Sequence, residues 1–436
     1  MMKRLFINNR MGVMRITLFM MTLVVVTMTH AQDFNRYFTD ETLRIDYTFS
    51  GNATNQEIAV DQLNRIPHWY GKRQRLSEVP VEGNGQIIVR DHHSQEVIYR
   101  NSFSTLFQEW LSYDEAKHIR KSFENVFLVP MPKDTVDITV VLNNNYRKEM
   151  TSLTHTVVPT DILIRRIGDR DVTPYTTLME AKDPDHCIHI AYIAEGYQEQ
   201  EMDVFMNDVK IAMEALFAHE PFKKLKDRFN IVAVKAPSKE SGTSEPSKGI
   251  WKNTALHSHF DTFYSDRYLT TLHLKDLHDW LAGTPYEHII ILVNSDHYGG
   301  GGILNSYNLT STHHSKYRPV VVHEFGHSFC GLGDEYAYET EDIPMYPAEV
   351  EPWEPNLTTL KNFEVKWKDM IDAKTPVPTP QTRTYINKVG VYEGAGYSLK
   401  GVYRPMQDCR MRTNEYPEFC PVCNRALERL INFYTE

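Results

Sequence analysis

The chain has 436 residues, of which 24% are charged and 11% aromatic, with a net charge of −10 and a pI near 6.0. This length predicts roughly two to three domains with apolar cores, and the charged fraction excludes a protein with many membrane spans. The acidic balance argues against nucleic acid or an anionic membrane as partner, because either would repel the chain at long range.

Residues 1–31 have the layout of a signal peptide. Basic residues precede an apolar run over 16–28, and Thr29 and Ala31 are small residues three and one positions before a cut after residue 31. The apolar run is too short to cross a bilayer core of about 30 Å comfortably. We therefore expect an exported protein, whether periplasmic, cell-surface or secreted, with no stable membrane insertion after the signal is removed.

Residues 32–167 are predicted to form a β-rich accessory domain. Leu43, Ile45, Tyr47 and Phe49 alternate with polar residues, and further runs with the same period follow. Short strands at this spacing are typical of a β-sandwich. A helix-like interval over 105–123 interrupts them. We find no catalytic motif in this part of the sequence and expect it to serve packing or accessory purposes.

A polar segment over 168–186 is predicted to be a linker, and the rhythm of the sequence changes after it. Apolar strands are predicted over 188–194, 229–237 and 288–295, and an amphipathic helix carries Phe205, Val209, Met213 and Leu216 on one face. A second helix is expected near 271–282 and a last one over 424–434, after a Pro-rich acidic surface excursion over 339–355. This alternation predicts an α/β catalytic domain over 187–436. Together with the β-rich N-terminal domain, it predicts an α+β multidomain protein.

The stretch PVVVHEFGHSFCGLGDEY over 319–336 carries the chemistry. In a helix, His323 and His327 are four residues apart and lie on one face, so both imidazoles can bind one ion. Glu324 is rotated by about 100° around the helix axis, so it flanks the ion instead of binding it. These three residues form an HExxH motif, which is typical of zinc hydrolases.

Glycines after the motif allow the chain to turn back toward it. Gly331 is suited to end the helix in the left-handed conformation, and Asp334 then returns as a third ligand, which leaves one position of a single Zn²⁺ open for water. Zinc lowers the pKa of such a water toward ~7, and Glu324 accepts its proton. The resulting hydroxide can attack a carbonyl that the same zinc polarises, and a peptide bond is the natural target. Glu335 is interpreted as a group that holds a histidine N–H, or as the ligand in place of Asp334.

Four segments of the sequence resemble a known family: IAEGYQEQEMDVFMNDV, HIIILVNSDHYGGGGI, HEFGHSFCGLGDEY and CRMRTNEYPEFCPVC. The sequence is similar to the immunoglobulin A peptidase family of bacterial zinc metallopeptidases, which are metzincin-like. The resemblance implies a zincin-like catalytic domain, one catalytic zinc ion and endopeptidase activity on a protein or peptide substrate. The glycine and the acid after the second histidine come one residue later than in metzincins, which leaves Asp334 and Glu335 open as third ligand.

The resemblance also suggests roles for residues near the C-terminus. Met411 matches the methionine that such enzymes place in a tight turn under the metal, although an ordinary core methionine would have the same surroundings. Tyr416 is a candidate to stabilise the oxyanion of the reaction, or a buried tyrosine with a structural hydrogen bond. Apart from the resemblance, the glycine run over 299–302 offers an edge along which a substrate strand can pair, or is a mobile loop that does not contact substrate.

The chain has five cysteines, and Cys420 and Cys423 form a C-x-x-C pair. A zinc-ribbon interpretation is weak because a second such pair is absent from the sequence. In an oxidising compartment we instead expect Cys409 to form a disulfide with Cys420 or Cys423, with Cys330 pairing with the other and Cys187 free. The sequence alone does not fix this connectivity.

Two other functions compete with a zinc endopeptidase. The first is a zinc amidase acting on cell-wall peptides, since the same water can attack other amides. The second is a surface binding protein that has no activity and keeps its zinc for structure. Glu324 argues against the second alternative, because a structural site has no use for a base beside an open position. The natural substrate and the oligomeric state stay open.

Overall fold

The structure is a computed structural model that describes residues 34–337 and 345–436. The predicted signal peptide lies outside the described residues. Within the described ranges, no helix has both the length and the apolar character needed to cross a membrane.

The N-terminal region consists of two sheets whose strands are almost all antiparallel. Its elements are α1 (Phe34–Tyr37), β1 (Phe38–Gly51), β2 (Gln56–Pro67), β3 (Gly85–Asp91), β4 (Val97–Phe103), α2 (Leu106–Trp110), β5 (Lys121–Pro132), β6 (Val136–Asn143), β7 (Glu149–Val157) and β8 (Arg165–Arg166). One sheet has the order β5-β1-β2-β8 and the other β4-β3-β6-β7. The inward side chains of both sheets share one apolar core.

The rest of the chain forms a mixed sheet with helices packed on it. Its elements are β9 (Tyr175–Met179), β10 (Ile188–Glu195), α3 (Met202–Phe217), β11 (Phe229–Val234), α4 (Leu274–Leu281), β12 (His288–Val293), β13 (Gly300–Ile303), β14 (Tyr307–Ser311), α5 (Tyr317–Cys330), β15 (Tyr392–Ala395), β16 (Ser398–Arg404) and α6 (Pro421–Thr435). The sheet order is β13-β14-β12-β10-β11-β9, and both edge strands run antiparallel to their neighbours. The fold is therefore mixed α/β.

The central strands of this sheet are buried, as continuous apolar runs predict. In β10 and β12 every residue is buried, and Ile190 of β10 lies between Ile231 of β11 and His288 of β12. A second apolar cluster fills the space between this sheet and α3, α5 and α6. This packing fixes α5, the helix that carries the HExxH motif, against β13 and β14.

His189 in β10 is a buried polar residue with a complete set of partners. Its Nδ1 donates a hydrogen bond to the Tyr70 carbonyl oxygen at 3.0 Å, and its Nε2 accepts one from Asn230 Nδ2 at 3.0 Å. This arrangement suits the neutral ring, and burial lowers the pKa of His189 to about 4.

A buried ion pair joins β1 to the second region. Leu43, Ile45, Tyr47 and Phe49 are buried as the alternation predicts, and the intervening Arg44 and Asp46 are buried as well. Arg44 Nε lies 2.7 Å from Asp46 Oδ1, and Arg44 Nη1 lies 2.5 Å from Asp279 Oδ1 in α4. The outer face of this strand is therefore covered by the second region of the chain, which the alternation alone did not predict.

The two regions also share a continuous apolar core, and residues 32–436 form one compact unit. Because this unit has no boundary near the expected linker over 168–186, the division into domains over 32–167 and 187–436 stays a prediction.

Two expectations about individual segments are wrong. The helix expected over 105–123 is only α2, followed by a short 3₁₀ turn over Asp114–Lys117, because β5 begins at Lys121 and pairs with β1. The acidic stretch expected to be a surface excursion is partly buried in its described portion, 345–355. There Glu351 and Glu354 are buried, and the Tyr346 hydroxyl donates a hydrogen bond to Glu354 Oε1 at 3.0 Å.

Candidate metal centre and active site

Helix α5 ends where the sequence predicts. Gly331 follows it with φ of 62°, in the left-handed region. A Cβ on Gly331 would also lie 2.4 Å from the ring of Trp353, so both the conformation and the available space require glycine. The end of α5 is thereby fixed, which determines the direction in which the chain continues.

His323 and His327 lie one helical turn apart and point into the same space. Nδ1 of His323 donates a hydrogen bond to the Arg410 carbonyl oxygen at 3.0 Å, and Nδ1 of His327 donates one to the Leu332 carbonyl oxygen. These bonds fix both rings and leave the two Nε2 atoms 3.0 Å apart. Metal-ligating histidines commonly donate their other ring N–H in this way.

Asp334 returns to these histidines after the turn. Its Oδ1 atom lies 3.1 Å from His323 Nε2 and 3.3 Å from His327 Nε2. The turn itself is held by Asn356, whose side chain accepts a hydrogen bond from the Gly333 N–H and donates one to the Gly333 carbonyl oxygen. Three donor atoms from two segments of the chain thus converge on one point.

The donor set fits a divalent metal ion. Asp334 Oδ1 is buried and has no hydrogen-bond partner among the described residues, although it lies against two imidazole nitrogens. A tetrahedral ion at the usual zinc–nitrogen and zinc–oxygen distances holds its ligand atoms about 3.3 Å apart. The observed separations of 3.0 to 3.3 Å match that spacing.

The electrostatics of the three residues also favour a cation. Burial opposes a charge on Asp334, but His327 and His323 outweigh it, so the pKa of Asp334 lies well below its usual range. Burial likewise opposes a charge on His327, but Asp334 outweighs it and raises the pKa of His327 to about 9. A positive charge is therefore stabilised at the point where the three donor atoms meet.

Glu335 has a different environment from the one expected. It is fully buried and turned away from both histidines, whose N–H groups bind backbone carbonyl oxygens instead. Its Oε1 accepts a hydrogen bond from Asn356 Nδ2 at 2.9 Å and lies 3.2 Å from Cys423 Sγ. The interpretation of Glu335 as a group that holds a histidine N–H is therefore wrong, because both histidine N–H groups already bind carbonyl oxygens of Arg410 and Leu332.

Glu324 lies beside the two histidines, against the edge strand β13. A Cβ on Gly300 would lie 2.7 Å from Glu324 Oε1, and a Cβ on Gly302 would lie 2.4 Å from the Glu324 carbonyl oxygen. The glycine run is thus a strand whose missing side chains allow it to pack directly on α5. Burial raises the pKa of Glu324, although both neighbouring histidines oppose the shift.

Met411 lies underneath α5. It is fully buried, and a Cβ on Gly326 would lie 2.9 Å from its sulfur. Its carbonyl oxygen accepts a hydrogen bond from the Glu335 N–H at 2.8 Å. Tyr416 is half-buried, and its neighbours 412–415 form the adjacent wall of the cleft, so its part in oxyanion stabilisation stays a prediction.

The three converging residues open into a cleft of about 670 Å³ that both regions of the chain line. From the N-terminal region, Glu109 of α2 reaches into it and accepts a hydrogen bond from the Tyr268 hydroxyl at 2.6 Å. Burial raises the pKa of Glu109 to about 7. The N-terminal region therefore forms part of the cleft wall and does more than pack against the site.

Sequence reasoning missed the group that holds Asp334. The Tyr397 hydroxyl donates a short hydrogen bond to Asp334 Oδ2, and it lies 3.4 Å from the Tyr336 hydroxyl. Tyr397 is at the tip of the β15–β16 hairpin, where the Gly396 N–H also bonds to the Asp334 carbonyl oxygen at 2.8 Å. The sequence EGAGY indicates a tight turn, but nothing in it indicates pairing with Asp334, 63 residues earlier.

The expected disulfides are absent from the structure. All five cysteines lie in the described residues, and each is a buried free thiol. Cys409 Sγ and Cys423 Sγ are 3.8 Å apart, well beyond the ~2.05 Å of a disulfide bond. Cys330 lies at the end of α5, and Cys187 receives a hydrogen bond from Asn230 Nδ2, so neither joins the other three.

Comparison with known protein families gives two matches. IgA Peptidase M64 matches residues 176–388 and 381–431, and Peptidase M64 N-terminus matches residues 33–154. No curated protein matches the chain. The first match extends over more than half of the 436 residues and includes α5, Asp334 and Met411. The chain therefore belongs to the IgA peptidase M64 family of metallopeptidases.

Proposed function

We propose that the protein is an exported zinc endopeptidase with a zincin-like catalytic domain. His323, His327 and Asp334 hold a single catalytic Zn²⁺, and Glu324 is the general base. The observation that supports this proposal best is the convergence of the three donor atoms within 3.0 to 3.3 Å, with one buried carboxylate oxygen left without a hydrogen bond. Export is supported by the composition of residues 1–31 alone.

The donor set of two imidazoles and one carboxylate favours zinc over calcium or magnesium, which prefer oxygen ligands. Zinc held by three protein ligands supplies Lewis acidity, which polarises a scissile carbonyl and acidifies water. Each protein ligand is fixed by a further hydrogen bond. The two histidines donate to the Arg410 and Leu332 carbonyl oxygens, and Tyr397 donates to the aspartate. The site is therefore organised before an ion arrives.

Glu324 is the residue that moves protons. Its carboxylate is buried next to the two histidines, and its raised pKa brings it closer to the range in which a carboxylate both accepts and returns a proton. We propose that Glu324 takes a proton from the attacking water and later gives it to the departing amine. Because Gly300 lies against Oε1, the carboxylate has little room to turn away from the reaction.

The substrate is a protein or peptide, as the family implies. Strand β13 is the edge of the sheet and runs directly beside Glu324, so we propose that part of an extended substrate pairs with it. Gly300 already bonds to the backbone at Arg267 and Leu269, which leaves the Gly302 end of the strand for a substrate. The lining of the cleft by both regions supports an extended peptide over a small amide.

Incubation of the mature protein with a diverse peptide library, with and without a zinc chelator, tests this function. We expect internal cuts that the chelator abolishes and that added zinc restores. Glu324→Gln should retain the catalytic zinc and lose hydrolysis, whereas His327→Ala should lose both the catalytic zinc and hydrolysis. Glu214→Gln, on the exposed surface of α3, is the control and should behave like wild type. Normal turnover in Glu324→Gln would refute the assignment of the base, and cuts confined to cell-wall peptides would favour an amidase.

A further inference from the structure

A second cluster of metal-ligating side chains lies beneath the proposed catalytic centre. Cys409, Cys420, Cys423 and Glu335 each offer one ligand atom, and these four atoms all lie within 4.8 Å of one another. All four residues are at most 1% exposed. The three cysteines come from the segment before Met411 and from the start of α6, whereas Glu335 follows Asp334 directly.

We propose that this cluster is a second, structural zinc site with three thiolate ligands and one carboxylate ligand. Two sulfurs at the usual zinc–sulfur distance of a tetrahedral ion lie about 3.8 Å apart, and a sulfur and an oxygen about 3.5 Å apart. Cys409 Sγ and Cys423 Sγ are 3.8 Å apart, and Cys423 Sγ lies 3.2 Å from Glu335 Oε1. The spacing thus fits a tetrahedral ion and is too long for a disulfide.

The second carboxylate oxygen of Glu335 provides an independent indication of a ligand. Glu335 is fully buried, yet its Oε2 atom has no hydrogen-bond partner among the described residues. A buried carboxylate oxygen without a partner is costly, and a cation in the centre of the cluster would compensate it. Because no member of the cluster is open to solvent, the site has the closed character of a structural metal centre.

Backbone N–H groups also prepare the sulfurs to carry negative charge. The N–H groups of Met411 and Cys420 point at Cys409 Sγ at 3.5 and 3.2 Å, and the Cys423 N–H points at Cys420 Sγ at 3.5 Å. Cys420 also caps the N-terminus of α6, where the helix favours a negative charge. Thiolates in a tetrahedral arrangement select zinc over harder divalent cations such as magnesium or calcium.

The position of the cluster indicates which parts of the chain the second ion would hold in place. The segment 409–411 contributes a cysteine to the cluster, the Arg410 carbonyl oxygen that binds His323, and the methionine beneath α5. Glu335 connects the same cluster to the neighbouring Asp334. An ion here would fix the two segments that complete the catalytic centre without touching a substrate.

Elemental analysis of the full-length mature chain, purified with reductant and zinc, tests the proposal. We expect two zinc ions per chain in wild type, one in His327→Ala, one in Cys423→Ser, and two in the control Cys187→Ser, whose thiol lies elsewhere. The His327→Ala variant separates this inference from the proposed function, since it removes the catalytic ion alone. Absence of zinc from His327→Ala, or an unchanged count in Cys423→Ser, would overturn the second site.

A second measurement covers the case in which Cys423→Ser does not fold. Cobalt(II) added to metal-free His327→Ala should give a thiolate-to-cobalt charge-transfer band, because the ion is then bound by sulfur. The absence of this band, or a mass lower by two hydrogens that shows a disulfide among the three cysteines in the native chain, would overturn the proposal.

Discussion

Removal of a single hydroxyl group, in Tyr397→Phe, should weaken the proposed catalytic site without touching a proposed ligand. The Tyr397 hydroxyl donates to Asp334 Oδ2, while Oδ1 of the same carboxylate faces the two histidines. With the hydroxyl gone, Oδ2 loses its donor in a place where Asp334 is only 8% exposed and water cannot readily replace it. The carboxylate is then free to rotate away from the position that binds the ion.

The expected size of the effect follows from this geometry. A hydrogen bond to a charged buried group is worth about 1.5–3 kcal/mol, and the unfolding free energy should fall by an amount in that range. Residues that hold a metal ligand typically change metal affinity by about 10- to 100-fold when altered. We therefore expect the zinc concentration needed for half of the maximal peptidase activity to rise by about one to two orders of magnitude.

The assay is peptide hydrolysis at a series of buffered free zinc concentrations, together with denaturant unfolding. Tyr392→Phe is the matched control, because its hydroxyl donates to the Tyr385 and Lys388 carbonyl oxygens in the same hairpin region and does not contact Asp334. The control should lose stability but keep its zinc dependence. An equal zinc dependence in both variants would refute the idea that Tyr397 positions Asp334.

Three further changes test other parts of the structure. Gly302→Ala places a Cβ 2.4 Å from a backbone oxygen of α5 and 2.9 Å from His327 Cβ, so β13 must shift and activity should fall about 100-fold. Gly390→Ala, which meets the side chain of Thr379 outside the lining of the cleft, should not change activity. Arg44→Ala leaves the buried Asp46 carboxylate without its partner and should lower the free energy of unfolding by denaturant by about 3–5 kcal/mol. Asp279→Ala, at the exposed end of the ion pair, should lower it by under ~1 kcal/mol. Burial lowers the pKa of His189 to about 4 in the folded chain, below the ~6.5 of the unfolded chain, so between pH 6.5 and 4 unfolding takes up a proton. The free energy of unfolding should therefore decrease by up to ~1.4 kcal/mol for each pH unit as pH falls through this range. His189→Gln should flatten this slope in denaturant unfolding, and an unchanged slope would contradict the prediction.

The parts of the site that depend on local sequence could be predicted. The spacing of His323 and His327 and the helix end at Gly331 follow from helical geometry and from the freedom of glycine. The choice between Asp334 and Glu335 could not be predicted, because it depends on where each side of the segment faces in the folded chain. Tyr397 escaped notice for the same reason, since its contact with Asp334 is made by a distant hairpin.

Other misjudged features depend on tertiary packing or on assumptions about the environment. The helix signal over 105–123 was overridden by the pairing of β5 with β1 in the N-terminal sheet. The expectation of disulfide bonds depends on an oxidising compartment, which the fold does not determine. The single C-x-x-C pair does not indicate that Glu335 and Cys409 lie next to it in the folded chain. The burial of Glu351 and Glu354 could not be predicted, because an acidic, proline-rich segment normally indicates solvent exposure.

The most direct test of the catalytic proposal is a crystal structure of the zinc-loaded protein, with anomalous scattering measured on both sides of the zinc absorption edge. We predict a zinc peak bound by His323 Nε2, His327 Nε2 and Asp334 Oδ1, with Glu324 beside it and no fourth protein ligand. A map without a peak among these three atoms, or a peak closed off by a fourth protein donor, would contradict the account.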